Sequence, residues 1–346
     1  MLASSHNPDL YFSLGSLSIR KKWASLILLV LQTTALVLLM RYSIVSRLHT
    51  GEEPYLISVA VVSAEALKIV VSLALLRAKQ ATWNAVMDQL SDEFMNRDTV
   101  KLAVPGLLYL IQNNLLFIAL SNLEAAVYQV TYQLKLMTTA LFSVFMLGKR
   151  LTLEQIFALF VLTGGVALVQ LSDVQERSGQ HKEAGKQDPI LGLGCVLLAC
   201  VSSGFAGVYL EKVMKHGRPV SIWMRNVQLG VFGVLFGLVT VVGSDLDKVL
   251  QRGFFQGFNV VVWNVVVIQA AGGLLVAAVI VYADNILKGF ATSVSIVLSS
   301  IVSVFLFSFR LSFGFVVGAT MVVLAVILYG RKDAPAPVSK TTKPQV

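Results

Sequence analysis

Lys135 interrupts an otherwise apolar stretch, lying midway along 125–147, AAVYQVTYQLKLMTTALFSVFML. That stretch is long enough to cross a bilayer as a helix. A cation at such depth is costly, so it faces a polar cavity or a partner and marks a solute path. Tyr128, Tyr132 and Lys135 fall at i, i+4 and i+7, which puts two phenols and an ammonium on one helical stripe. Such a stripe suits a flat ring carrying phosphate. The run LLYLIQNNLLF brings Tyr109, Gln112 and Asn113 onto another face. Amides within a membrane also tie helices together, so this trio reads equally as packing or as solute binding.

Three further groups belong with these. Asn226, Gly230, Gly233 and Gly237 recur at helical spacing and leave one face almost bare of side chains. A close helix contact is the favoured reading of the glycines. The functional alternative is room for a sugar, with Asn226 at the mouth. Lys288 follows Asp284 and Asn285, either of which is a natural N-cap for the next helix. By itself it reads as a flanking lysine that snorkels to the surface. Glu65 and Lys68, three apart on one face, form an expected ion pair that holds structure or breaks and re-forms during gating.

The elements that must position these groups are membrane helices. The chain has 346 residues, 56% hydrophobic and 14% charged, against about a quarter charged for soluble domains. Its net charge of +9 is scattered between apolar runs, which argues against nucleic acid. Cys195 and Cys200, the two cysteines, fall on different helix faces, so neither a disulfide nor a metal site is expected. His6, His49, His181 and His216 read as tail or loop residues, and no metal or cofactor is indicated. The first apolar run is full-length and reads as a span, not a cleaved signal.

Ten apolar segments are expected: 24–43, 54–76, 102–121, 125–147, 152–171, 190–210, 221–243, 260–283, 286–308 and 312–330. The polar segment 172–189 divides them into two five-helix units, 24–171 and 190–330, between an N-terminal tail 1–23 and a C-terminal tail 331–346. Lys and Arg concentrate on the side of the tails, which predicts both termini in the cytosol and 172–189 in the lumen. SVFMLGKRLT at 143–152 and SVFLFSFRLS at 303–312 match at half their positions, 160 residues apart. An odd number of crossings per unit inverts the second copy, and inverted repeats characterise transporters. The fold class is therefore all-α polytopic, two inverted five-helix repeats. The same offset sets Lys288 against Tyr128, which turns Lys288 inward, opposite Lys135, as the second half of a clamp for a diphosphate.

Several of these segments together resemble a known family. LAVPGLLYLIQNNLLFIALSNLEAAVYQVTYQLK, SSGFAGVYLEKVMK, WMRNVQLGVFG, GFFQGF and YADNILKGFATSVSIVLS look like the Golgi nucleotide-sugar transporters for CMP-sialic acid, UDP-galactose and UDP-N-acetylglucosamine. The resemblance runs from Lys22 to Gly330. It implies the drug/metabolite transporter fold and exchange of cytosolic nucleotide-sugar for lumenal nucleoside monophosphate, with no enzyme activity. It implies a nucleotide pocket at Tyr109, Gln112, Asn113, Tyr128 and Lys135, with Asn226 and Lys288 at substrate positions and both lysines near phosphate. It also implies a Golgi membrane, with the endoplasmic reticulum as alternative, and a homodimer or a complex with glycosyltransferases. Val281 departs from the family, which commonly has lysine there. CMP-sialic acid members tend to have Tyr-Leu-Ser-Gly where this chain has Gly230-Val231-Phe232-Gly233. The early LQTTALVLLMRYS and GFFQGF look most like UDP-N-acetylglucosamine members, with UDP-galactose second. A CMP-sialic acid carrier and a proton-coupled metabolite exporter are the alternatives, and the latter would need an intramembrane carboxylate such as Glu65.

Overall fold

A computed structural model describes residues 11–14, 17–50, 54–80, 82–94, 97–123, 125–177, 188–217, 220–307 and 312–330. The terminal segments 1–10 and 331–346, most of 172–189, and Arg310 of the second repeat motif lie outside them. The helices are α1 Lys21–Thr50, α2 Ile57–Lys79, α3 Trp83–Phe94, α4 Arg97–Lys101, α5 Ala103–Asn122, α6 Ala125–Tyr132 and α7 Leu134–Leu147. They continue as α8 Leu153–Arg177, α9 Pro189–His216, α10 Ile222–Ser244, α11 Leu246–Arg252, α12 Val260–Tyr282, α13 Asn285–Phe307 and α14 Phe313–Gly330. Ten of the spans they build are long and apolar enough to cross a membrane. A short antiparallel hairpin, β1 Tyr11–Leu14 and β2 Leu17–Arg20, precedes α1 and is the one departure from an all-α chain among the described residues.

Local chemistry explains most of the helix ends. Asp188 caps α9, accepting from the N–H groups of Ile190 and Leu191 at 3.1 Å, with Pro189 in the first turn. Thr152 and Gln155 exchange side-chain to backbone bonds of 3.1 and 3.2 Å, a capping box that starts α8. Gly148, at φ +64°, ends α7 in the left-handed conformation that glycine adopts without strain. Asp284 accepts the Leu287 N–H at 2.8 Å and starts α13, one of the two caps expected. The polar stretch before α5 is partly ordered as α3, whose Val86 packs against Leu76, Met224 and Val227.

The helices pair by a rule. Taking α6 and α7 as one span, α5 packs on α9, and its counterpart five spans later, α12, packs on α1. Likewise α7 packs on α9, as α13 packs on α1; α2 packs on α12, as α10 packs on α5. The pairs α2 with α10 and α8 with α14 map onto themselves. Glycine lets the second of these close tightly. A Cβ on Gly165 would lie 2.9 Å from the Gly318 carbonyl oxygen, and one on Gly318 would lie 2.7 Å from that of Gly165.

Three sequence expectations change. The fourth span is two helices, because a turn at Gln133 separates α6 from α7. The sixth extends to His216, so Glu211 lies within a helix instead of beyond one, and His49 and His216 sit in last helical turns, not in loops.

Candidate functional site

The broken fourth span carries the aromatic and cationic stripe. Tyr128 and Tyr132 stack across α6 with centroids 6.0 Å apart and planes 15° from parallel. The Lys135 ammonium, just past the break, sits 4.0 Å from the centre of the Tyr132 ring. That contact is the cation–π arrangement an ammonium adopts when no carboxylate is at hand. From α5, Gln112 Nε2 donates to the Tyr132 hydroxyl at 3.0 Å, while its Oε1 is buried without a hydrogen-bond partner. The three stripe residues sit together, as their spacing predicts, and Gln112 joins them from α5.

Lys288 enters the cluster from α13. Gly289 lets that helix approach α7, since a Cβ there would lie 2.8 Å from Leu136 Cδ2. Lys135 and Glu211 stand within electrostatic reach of Lys288. Glu211 is fully buried, and both its oxygens are engaged: Oε1 with Lys149 and Lys215, each at 2.9 Å, and Oε2 with the Asn285 N–H at 2.9 Å. Lys149 also meets Asp284 at 3.2 Å. Lys149 and Lys215 thus share the two carboxylates, and among the described residues neither Lys135 nor Lys288 forms an ion pair. Both are half-buried cations whose charge the fold leaves without a carboxylate.

A cavity of about 500 Å³ lies apart from this cluster, since none of Gln112, Tyr128, Tyr132, Lys135 and Lys288 lines it. It lies between α2, α5, α10 and α12 and is walled largely by apolar side chains, among them Phe232 and Phe236, whose rings stack with centroids 6.4 Å apart. Its polar lining includes Glu65, Lys68, Tyr109 and Asn113. Tyr109 joins the two regions, since it lines the cavity and stands within electrostatic reach of Tyr132. Glu65 and Lys68 are ion-paired, as expected. The pair occupies a slot made by two glycines: a Cβ on Gly233 would meet the Glu65 carboxylate, and one on Gly273 would come 2.8 Å from Lys68 Cδ.

The structure separates the remaining candidates. Gly230 packs against Ile69 and Gly237 against Val62, so the glycine face of α10 is chiefly a contact with α2, although Gly233 and Gly237 also line the cavity. Asn226 is not at a mouth. It is 1% exposed, donates to the Ile222 carbonyl at 3.0 Å and lies outside the cavity lining. Helical spacing indicates a shared face but not which neighbour covers it. Sequence reasoning missed Glu211, which closes an apolar run and depends on partners from two distant turns. Its only sequence signal was an acidic residue in SSGFAGVYLEKVMK. Cys195 and Cys200 are both buried and unbridged. No group of three His, Cys, Asp or Glu able to hold a metal occurs among the described residues.

Comparison with known proteins extends this geometry. A family profile described as "Nucleotide-sugar transporter" matches residues 17–330. A UDP-N-acetylglucosamine transporter of Rattus norvegicus is 52% identical, over 92% of this chain and 98% of its own. A UDP-galactose transporter of Schizosaccharomyces pombe is 42% identical, over 91% and 90%. A solved structure titled "Crystal structure of protein" superimposes with a TM-score of 0.60, covering 89% of this chain and 96% of its own; at 16% identity it bears on the fold alone.

Proposed function

This chain belongs to the nucleotide-sugar transporter family, and we propose that it exchanges cytosolic UDP-sugar for lumenal UMP across the Golgi membrane by alternating access. UDP-N-acetylglucosamine is the favoured cargo, in line with the names of relatives about half identical to it, and UDP-galactose is the second. The observation that carries the reading is a pair of half-buried ammonium groups, Lys135 and Lys288, within electrostatic reach of each other and without an ion pair among the described residues.

Each part of the substrate has a place in this scheme. The uracil packs near Tyr109 and Tyr128, with Gln112 and Asn113 reading its edge, and the free Gln112 Oε1 is one acceptor for that purpose. Lys135 and Lys288 hold the phosphates. The sugar occupies the cavity between α2, α5, α10 and α12, beside Gly233 and the Glu65–Lys68 pair. Asn226 and Gly230 support this wall from behind, through packing against their neighbours, without touching cargo. When no anion is bound, two like charges face each other in a low dielectric, which raises the cost of passing between the two open forms. A diphosphate inward and a monophosphate outward each neutralise them. Exchange then requires neither ATP nor an ion gradient. A proton-coupled exporter would need an intramembrane carboxylate without a fixed partner, whereas Glu65 is paired with Lys68 and Glu211 with Lys149 and Lys215.

The test is counterflow in proteoliposomes preloaded with UMP or CMP. Uptake of UDP-N-acetylglucosamine into UMP-loaded vesicles is expected, with both termini protected from external protease only when the cytosolic face is inward. Uptake against CMP alone would overturn the choice of base.

A further inference from the structure

The break in the fourth span has no sequence cause. Residues 131–136, TYQLKL, contain neither proline nor glycine, the usual agents of a sharp interruption. Around it the backbone tightens to i→i+3 bonds: the Gln133 N–H donates to Val130 at 3.1 Å and the Leu136 N–H to Gln133 at 3.0 Å. A helix that stops at Tyr132 leaves its last carbonyls without intrahelical donors, and in a membrane those carbonyls must find donors within the protein.

The neighbouring helix α9 supplies one. The Cys200 thiol lies 3.6 Å from the Thr131 carbonyl oxygen and 3.5 Å from that of Tyr132, the last two of α6. The contact is reciprocated, since the Thr138 hydroxyl of α7 donates to the Cys200 carbonyl at 2.7 Å. The same hydroxyl also lies 3.0 Å from the Lys135 carbonyl, and Thr139 bonds that carbonyl at 2.8 Å. On the far side Gln133 donates to Gln170 of α8 at 2.6 Å. Cys200 is 1% exposed and stands within electrostatic reach of Lys135, Tyr128 and Tyr132. Cys195, five residues earlier, makes no such contact among the described residues.

We propose that Cys200 is a positioning residue for Lys135: its thiol holds the last carbonyls of α6 and, with Thr138, fixes the break that aims the Lys135 ammonium over Tyr132. This rests on the reading of Lys135 as a phosphate holder, but the thiol contact itself can be tested without that reading. A thiol is a weak donor, and serine, which is smaller but a stronger donor, replaces it conservatively. Alanine is about as small as serine and donates nothing, so the comparison of the two isolates the donor.

The experiment has two arms on purified full-length protein. The first is the infrared S–H stretch, measured with Cys200 alone (Cys195→Ser) and with Cys195 alone (Cys200→Ala). The Cys200 band is expected at lower frequency, as for a hydrogen-bonded thiol; coincident bands would overturn the proposal. The second compares UMP with uridine, which differ by the phosphate. Cys200→Ala is expected to shrink the advantage of UMP about tenfold, with uridine affinity unchanged, while Cys200→Ser stays within about threefold of the wild type. An unchanged UMP-to-uridine ratio in Cys200→Ala would overturn the proposal, as would an equal loss for both ligands, which marks general damage. If Cys200→Ala does not yield monodisperse protein, Thr138→Val removes the reciprocal bond and carries the same expectation, with an unchanged ratio again overturning it. A wild type that binds UMP no better than uridine would sink the phosphate reading instead, and the infrared arm would still decide the thiol contact.

Discussion

Lys68 and Lys135 are both cations set among apolar helices, yet they are held in opposite ways. Lys68 lies in a slot shaped by Gly233 and Gly273, paired with Glu65 one turn away. Lys135 rests on the face of Tyr132 and stands within electrostatic reach of another lysine, Lys288. The nearby carboxylate that could have served, Glu211, is already taken by Lys149, Lys215 and a backbone N–H. One site has its charge cancelled inside the fold and the other does not. Burial of a charge therefore does not separate structure from function in this protein. What separates them is whether the fold supplies the counter-charge.

Breaking the compensated pair on one side should have the largest effect. Glu65→Ala leaves Lys68 buried and alone, and the expected loss is about 4 kcal/mol of stability, read as a lowered melting temperature in detergent. The double change Glu65→Leu with Lys68→Met should recover most of it. Removing Lys135 should have the opposite sign in stability, because Lys135→Met deletes an uncompensated cation and raises the melting temperature of anion-free protein. The cost falls on transport. Uptake of UDP-N-acetylglucosamine into UMP-loaded vesicles should drop about 100-fold, the equivalent of ~2.7 kcal/mol for removing one charge-assisted hydrogen bond to phosphate in a low dielectric. If Lys135→Met destabilised the protein as Glu65→Ala does, the contrast between the two sites would fail.

A smaller effect is expected where the slot is narrowed. Gly233→Ala places a methyl group against the Glu65 carboxylate and should cost about 1.5 kcal/mol of stability through overpacking. The loss should disappear in a Glu65→Leu, Lys68→Met background, where the crowded carboxylate is absent. The smallest lies outside the spans. Asp245 accepts from the Ser58 hydroxyl at 2.7 Å and pairs with Lys248 at 3.0 Å; these contacts, led by Ser58, hold its carboxyl below the ordinary value. A depressed folded value contributes stability that is present above the unfolded carboxylate pKa and is lost as pH falls through the folded one. Acid melting curves of the wild type and Asp245→Asn should therefore converge at low pH and separate slightly above it.

The spans were legible from hydropathy, and so was the clustering of Tyr128, Tyr132 and Lys135, because both depend on local periodicity. The Glu65–Lys68 pair was legible for the same reason. The break at Gln133 was not, since the residues that sustain it, Gln170 and Cys200, come from other helices. Glu211 was hidden because its meaning depends on Lys149 and Asn285, brought to it only by the fold. Helical spacing sets Asn226 at a mouth, but a shared face does not identify the neighbour that buries it. Gly233 is ambiguous in sequence between packing and space for cargo, and in the structure it both packs against Glu65 and lines the cavity.

The central claim is that the phosphate supplies the charge the fold withholds from Lys135 and Lys288. Its most direct measurement is the affinity of purified protein for UMP against uridine, in the wild type and in the double change Lys135→Gln with Lys288→Gln. The account predicts that UMP binds the wild type about 100-fold more tightly than uridine and that the double change brings the two together while leaving uridine nearly unaffected. Equal affinities in the wild type, or a preference for UMP that survives loss of both lysines, would contradict it.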